Sequence, residues 1–187
     1  VSTDDDEIRQ VALSCGAEVP FLRAKDLADD FTATAPVIAS AIKDCEKMGW
    51  HFDLVCCIYP CTPFIEVEDI KSALHMYSQA KSEYCFPVSR FVNSIFHALE
   101  KSKNNALSLV FPENENTRTQ DFQTTYYDAG QFYWASRDTW LTNHNVHSSG
   151  SGLEIPAWRA IDIDTIEDWQ MAELVYECLA LNKSNYK

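Results

Sequence analysis

Apolar positions along the chain alternate between helical and strand periods through its first half. Ile8, Val11, Ala12 and Cys15 recur at helical spacing up to Gly16, with Asp4 and Glu7 as a capping box at the start. Residues 18–21 read as a strand. Thr34 precedes Pro36, and Val37, Ile38, Ala41, Ile42, Cys45 and Met48 then share one face, which predicts a second helix. Leu54–Ile58 is an unbroken apolar run, the mark of a strand buried on both faces. Beyond the turn Tyr59-Pro60-Cys61-Thr62-Pro63, the spacing of Val67, Ile70, Ala73, Leu74 and Tyr77 predicts a third helix, and residues 84–88 another strand. This order predicts an α/β fold with helices packed on a mostly parallel sheet and ligands at the strands' carboxyl ends.

The pattern changes in the second half. Residues 95–99 and 106–111 flank the polar turn 101–105, which predicts a hairpin arm, and 112–126 read as irregular. Residues 130–135 form an aromatic-rich strand and 160–163 a further strand. Asp164 with Glu167 then makes a second capping box, for a helix carrying Ile166, Trp169, Ala172, Val175 and Leu179. At 187 residues and 46% hydrophobic content, the expectation is a single domain over residues 1–187, with an insertion at about 90–128.

Charge narrows the partners. A formal charge of −13 argues against nucleic acid or an anionic membrane surface, so an anionic substrate must meet a local positive site or a metal. The seven cysteines, at positions 15, 45, 56, 57, 61, 85 and 178, sit mostly in apolar runs without regular spacing. They read as reduced, buried thiols of a cytoplasmic protein. No apolar stretch approaches the roughly 18 residues of a membrane span, and no basic-then-apolar leader opens the sequence.

The candidate chemistry centres on Ile161-Asp162-Ile163-Asp164. Carboxylates at i and i+2 of a strand end point to one side and could hold Mg²⁺ with water and phosphate. Spacing alone favours the commoner origin of such a pair, a helix cap beside a solvated strand end. Arg23 could meet phosphate or a base and Arg118 a carboxylate, although either could be a surface residue. Cys56, Cys57 and Cys61 lack the second paired set that zinc requires. His144 and His147 lie in an Asn/His/Ser/Gly stretch that reads as a flexible loop. The Tyr126-Tyr127 and Phe132-Tyr133-Trp134 aromatics could stack on a base or sugar, or belong to the core.

Four stretches together resemble the cytidylyltransferases for sialic acid and related nonulosonic acids. They are Val1-Ser2-Thr3-Asp4-Asp5; Phe21-Leu22-Arg23 with Leu27-Ala28-Asp29-Asp30 and Thr34; Tyr59-Pro60-Cys61-Thr62-Pro63-Phe64; and Ile161-Asp162-Ile163-Asp164-Thr165 with Glu167-Asp168-Trp169. Phe111-Pro112-Glu113, Thr117-Arg118-Thr119-Gln120-Asp121 and Asp128-Ala129-Gly130-Gln131-Phe132-Tyr133-Trp134 look most like the pseudaminic acid branch.

The resemblance implies a Rossmann-like nucleotide-diphospho-sugar transferase fold with a small β-rich dimerisation insertion. It implies Asp162 and Asp164 as catalytic ligands of Mg²⁺, and Ser2, Asp4, Arg23 and Thr34 on the CTP side. It implies Tyr59, Arg118, Asp128 and Gln131 on the side of an acidic nine-carbon sugar, in a homodimer. The implied reaction moves CMP from CTP to the sugar's anomeric hydroxyl and releases pyrophosphate. CMP-sialic and CMP-legionaminic acid synthesis are the alternatives. Family members begin with a strand and a Gly- and Lys/Arg-rich phosphate loop that this sequence does not contain. The matching expectation is weak CTP binding and little activity for the chain alone, and a non-catalytic fragment or interaction protein is the alternative of a different class.

Overall fold

A computed structural model describes residues 1–143 and 145–185. The first half follows the predicted order except for its first strand. Helix α1 (Asp6–Ser14) and helix α2 (Thr34–Lys47) precede strand β1 (Leu54–Ile58), helix α3 (Val67–Gln79) and strand β2 (Tyr84–Arg90). A hairpin of β3 (Leu99–Lys101) and β4 (Leu107–Leu109) forms the arm. Strands β5 (Tyr126–Asp128) and β6 (Phe132–Ser136), helix α4 (Arg137–Thr142), strand β7 (Gly150–Glu154) and helix α5 (Ile166–Asn185) complete the chain.

Helices cover both faces of the sheet, because each central strand alternates its side chains between two cores. Tyr84, Phe86, Tyr133 and Ala135 meet Ala35 and Ile42 of α2 and Trp140 of α4. Cys85 and Phe132 face the other way, onto Ala73 of α3. Trp140 and Phe132 are fully buried, and burial of a side chain the size of Phe132 contributes about 2–3 kcal/mol.

The sheet is mixed rather than mostly parallel. β6 runs antiparallel to both β1 and β2 and lies between them; β5 is antiparallel to β2, and only β7 pairs with β2 in parallel. Local periodicity reports which residues form a strand but not its direction, which is fixed by long-range register.

The antiparallel partner of β2 is interrupted. Cys85 pairs with Trp134 and Val88 with Asp128, so two residues of β2 oppose five of the facing segment. The surplus loops out around Gly130, whose φ of +64° is a left-handed conformation that glycine adopts without steric cost. Pro87 sits opposite this bulge. Its carbonyl accepts from Ala129 N at 3.0 Å, so the nitrogen that lacks a proton faces the interrupted ladder, where the missing bond costs least.

Several local expectations change. Residues 18–21 and 160–163 are not strands. The cap of α1 is Asp5, whose Oδ1 accepts from Ile8 N at 2.8 Å, rather than Asp4. The start of α5 is held by Thr165 and Asp168 rather than Asp164 and Glu167. Asp168 N donates to Thr165 Oγ1 at 3.2 Å and Thr165 N to Asp168 Oδ2 at 2.8 Å, which completes a reciprocal box. Asp164 is thereby released from the capping role.

Candidate active site

The site forms at the carboxyl end of β1, where α/β sheets present their ligand loops. Tyr59 follows β1 directly, and its N donates to Gln131 O at 2.9 Å across the bulge. Ile163 N donates to Cys61 O at 3.2 Å. This bond ties the segment carrying Asp162 and Asp164 to the turn after β1.

Two cavities of about 330 Å³ each lie side by side here. The first is lined by Thr34, Tyr59, Tyr133, Trp140 and the segment 145–148. A 2.5 Å hydrogen bond joins Thr34 Oγ1 to the Tyr59 hydroxyl, and Tyr59 continues by a side-chain hydrogen bond to Tyr133, with ring centroids 5.2 Å apart. Burial is the main cause that pushes both tyrosines up, so they stay protonated across the ordinary pH range.

The second cavity is acidic, lined by Asp128, Gly130, Asp162 and Asp168, with Met171 at its edge. A Cβ on Gly130 would come within 3.0 Å of Asp162 Oδ2; the bulge therefore packs directly against this carboxylate. Burial first, then the charge of Asp164, pushes the Asp162 carboxyl above its usual range, with smaller pushes from Asp168 and Asp128. A backbone hydrogen bond from Ile163 opposes them. Asp162 thus sits among carboxylates that no cation among its resolved influences offsets.

That arrangement fits a divalent cation of limited protein coordination. Among the described residues no group of three or more His, Cys, Asp or Glu side chains converges as a cage. Mg²⁺ is commonly held by one or two carboxylates, with substrate phosphates and water completing its octahedron.

Asp128 stands in the wall between the two cavities. Its Oδ1 accepts from Gly130 N at 2.9 Å, and its Oδ2 from the Tyr133 hydroxyl at 2.8 Å. His147 Nε2 lies 2.7 Å from the same Oδ2. The flexible-loop reading of His147 is therefore corrected, whereas His144 lies outside the described residues. The segment is anchored on both sides: the Tyr84 hydroxyl donates to Asn143 O at 2.5 Å and Glu83 N to Ser149 O at 2.9 Å.

The remaining candidates divide into two groups. Ser2 and Arg23 meet each other: Arg23 Nε donates to Ser2 Oγ at 3.2 Å and Nη2 to Ser2 O at 2.6 Å. Arg23 is also close enough to Cys57 of β1 to oppose, in small part, the burial that pushes this thiol up to about 12. Asp4 is exposed ahead of α1. Arg118 lies on the arm, paired bidentately with Asp121 at 2.8 and 3.0 Å, away from both cavity linings. Gln131 is fully buried and lines neither cavity; its Nε2 donates to Arg159 O at 2.6 Å.

Arg159 had no mark in the sequence, yet it secures the same region. It is 8% exposed, and its Nη1 reaches Asp69 Oδ2 at 2.5 Å and Glu66 Oε2 at 3.0 Å. It binds the Asp162 segment to the first turn of α3. Arg159 stands three residues before Asp162 in Trp158-Arg159-Ala160-Ile161, but only the distant partners on α3 reveal its role.

The fold defines the class. A solved CMP:2-keto-3-deoxy-manno-octonic acid synthetase complexed with CTP matches with a TM-score of 0.60 over 95% of this chain and 80% of its own, at 13% identity, a likeness of fold alone. A sequence profile described as Cytidylyltransferase matches residues 1–177, and the chain belongs to that family of nucleotidyltransferases. A pseudaminic acid cytidylyltransferase of Campylobacter jejuni is 32% identical over 178 residues, covering 95% of this chain and 77% of the relative. A CMP-N,N'-diacetyllegionaminic acid synthase of Legionella pneumophila is 29% identical over 188 residues, with the same two shares.

Proposed function

We propose that this cytidylyltransferase transfers CMP from CTP to the anomeric hydroxyl of a nonulosonic acid, with pseudaminic acid as the preferred acceptor, and releases pyrophosphate. The observation that carries the reading is the pair of adjoining cavities, one aromatic and one acidic, at the carboxyl end of β1. The relative with the pseudaminic acid name is 32% identical and the one with the legionaminic name 29%, which supports the choice of acceptor.

In this reading Asp162 and Asp164 hold Mg²⁺. When bound, the ion supplies charge neutralisation at the reacting phosphate. Ser2, Asp4, Arg23 and Thr34 serve the nucleotide. Tyr59, Asp128 and Gln131 serve the sugar, with Tyr59 and Asp128 contributing directly from the cavity walls and Gln131 by holding the bulge in place. Most of the catalytic effect then comes from positioning and fixed electrostatics.

The chain acts as a homodimer joined through the arm. Leu99, Leu107 and Val110 are exposed on the hairpin, and a small two-stranded sheet gains stability by burying such residues against a partner. Arg118 reaches the acidic sugar from this arm. The proposed compartment is the cytoplasm, which accords with seven unpaired cysteines, although only Cys57 and Cys85 are buried and Cys15, Cys61 and Cys178 are exposed, contrary to the buried thiols expected. Among the described residues, no helix is long and apolar enough to cross a membrane.

Incubation with CTP, Mg²⁺ and each acid in turn, followed by ³¹P NMR, tests the reaction. The expected product is CMP-pseudaminic acid, formed only with the divalent ion. Preferred use of N-acetylneuraminic or legionaminic acid would overturn the assigned acceptor. Light scattering at micromolar concentration tests the dimer, and a monomer would contradict it.

A further inference from the structure

We propose that His147, oriented by Asp128, is the general base that takes the proton from the attacking sugar hydroxyl, an inference that rests on the transferase reading above. A sugar hydroxyl is a weak nucleophile, and a positioned base near its proton contributes about 100- to 10,000-fold to such a step. Of the side chains that line the aromatic cavity, Tyr59 and Tyr133 are held in their protonated forms by burial. Thr34, Asn145 and Ser148 offer no basic nitrogen. His147 lines the same cavity and carries an imidazole, the side chain suited to accepting a proton near neutral pH.

The geometry also selects the nitrogen. Three donors converge on Asp128: Gly130 N, the Tyr133 hydroxyl and His147 Nε2. An ionised carboxylate only accepts, so Nε2 carries the proton in this pair and Nδ1 keeps its lone pair. The orienting carboxylate has the role it plays in a Ser-His-Asp triad, fixing the tautomer and stabilising the imidazolium once formed. The ring is further set edge-on against Phe86, with centroids 5.6 Å apart. Among the described residues, the titratable groups that bond to it or share its cavity are Asp128 of β5, Tyr133 of β6 and Tyr59 beyond β1.

Placement supports the role. Asp128 lines the acidic cavity with Asp162 while His147 lines the aromatic one, so the imidazole stands where an acceptor and a metal-bound phosphate would meet. In the step, the anomeric O–H bond breaks and its proton passes to Nδ1. The oxygen forms a bond to the α-phosphorus, the bond from that phosphorus to the bridging oxygen breaks, and pyrophosphate leaves with the electron pair. The His147 side chain is 71% exposed, so the imidazolium returns its proton to solvent.

Two measurements test this. Imidazole ¹⁵N NMR of the chain above neutral pH, assigned with His147→Gln, requires no turnover. The expected result is the Nε2–H tautomer, with that preference lost in Asp128→Asn; an Nδ1–H tautomer in the unmodified protein would overturn the proposal. In assays with CTP, Mg²⁺ and pseudaminic acid, His147→Ala should lower kcat by about 100-fold or more, leave KM for CTP nearly unchanged and recover activity with added imidazole. An unchanged kcat, or a loss confined to KM, would also overturn it. An unmodified chain that forms no CMP-sugar from any nonulosonic acid would sink the transferase reading itself, an outcome distinct from either result with the variants.

Discussion

The two cavities at the end of β1 are equal in volume and opposite in chemistry. The aromatic one is internally satisfied, with Thr34, Tyr59, Tyr133 and Asp128 linked by hydrogen bonds. The acidic one is lined by Asp128, Asp162 and Asp168, and burial together with the charge of nearby Asp164 raises the Asp162 carboxyl. One is built to receive a ligand with little change, whereas the other stores a charge imbalance that a cation would relieve. Asp128 lines the acidic cavity and meets Tyr133 and His147 of the aromatic one, so one side chain joins the two walls.

Asp162→Asn should break this contrast most sharply. Loss of a ligand that helps neutralise phosphate charge is worth several kcal/mol, so transfer should fall by about 1000-fold. Stability should move the other way. The folded pKa of Asp162 lies above its ordinary value, so stability is lost as pH rises through the folded pKa and ionisation begins to oppose folding. In metal-free buffer above that point, calorimetry should therefore find Asp162→Asn at least as stable as the unmodified chain; a lower Tm would make the carboxylate a structural element.

Arg159→Met addresses what holds the acidic cavity in place. Asp69, with a side chain 16% exposed, would lose its main cation, and breaking such a pair costs about 3 kcal/mol. Urea unfolding should register this loss. A midpoint unchanged from the unmodified protein would show that the Asp162 segment does not depend on α3.

Gly130→Ala should cost about 1–2 kcal/mol from its left-handed backbone, with the new Cβ pressed against Asp162 Oδ2 at 3.0 Å. Thermal melting would detect it, and a neutral result would mean that the bulge relaxes freely. The smallest effect belongs to Tyr59→Phe, which removes the hydroxyl between Thr34 and Tyr133 at about 1 kcal/mol. It should raise KM for the acidic sugar and leave any Mg²⁺ effect intact; an equal loss of the Mg²⁺ effect would deny the division between the cavities.

Much of this framework is legible in the sequence because it rests on local period. β1 forms over its apolar run, but at the edge of the sheet, antiparallel to β6 and with Leu54 and Ile58 exposed, rather than as a strand buried on both faces; α2, α3 and β2 follow their spacing. The parts that escaped depend on distant neighbours. β7 reads as a loop because of Gly150 and Gly152, yet a Cβ at those positions would come within 2.3 Å of Phe86 and 2.7 Å of Val88. The residues that make the segment unlike a strand are the ones that let β2 side chains cross it. The short helix α4 does carry a local signal, its N-cap Ser136, whose Oγ accepts from Thr139 N at 3.0 Å.

The site divides in the same way. Asp162, Asp164, Thr34, Tyr59 and Asp128 come from contiguous motifs, and the fold brings them towards one end of the sheet. His147 lies 19 residues from Asp128 in sequence and meets it at 2.7 Å, because β7 returns beside β2. Arg159 meets Asp69 across 90 residues. No local pattern encodes either pairing.

In the proposed function the acidic cavity binds a divalent ion together with the nucleotide received beside it. Differential scanning fluorimetry of the unmodified chain and Asp162→Asn, with CTP alone, Mg²⁺ alone and both together, tests it without requiring turnover. The combination should raise the Tm of the unmodified chain by more than the sum of the separate shifts, and Asp162→Asn should lose this excess. Additive shifts in the unmodified chain, or the same excess in Asp162→Asn, would contradict it.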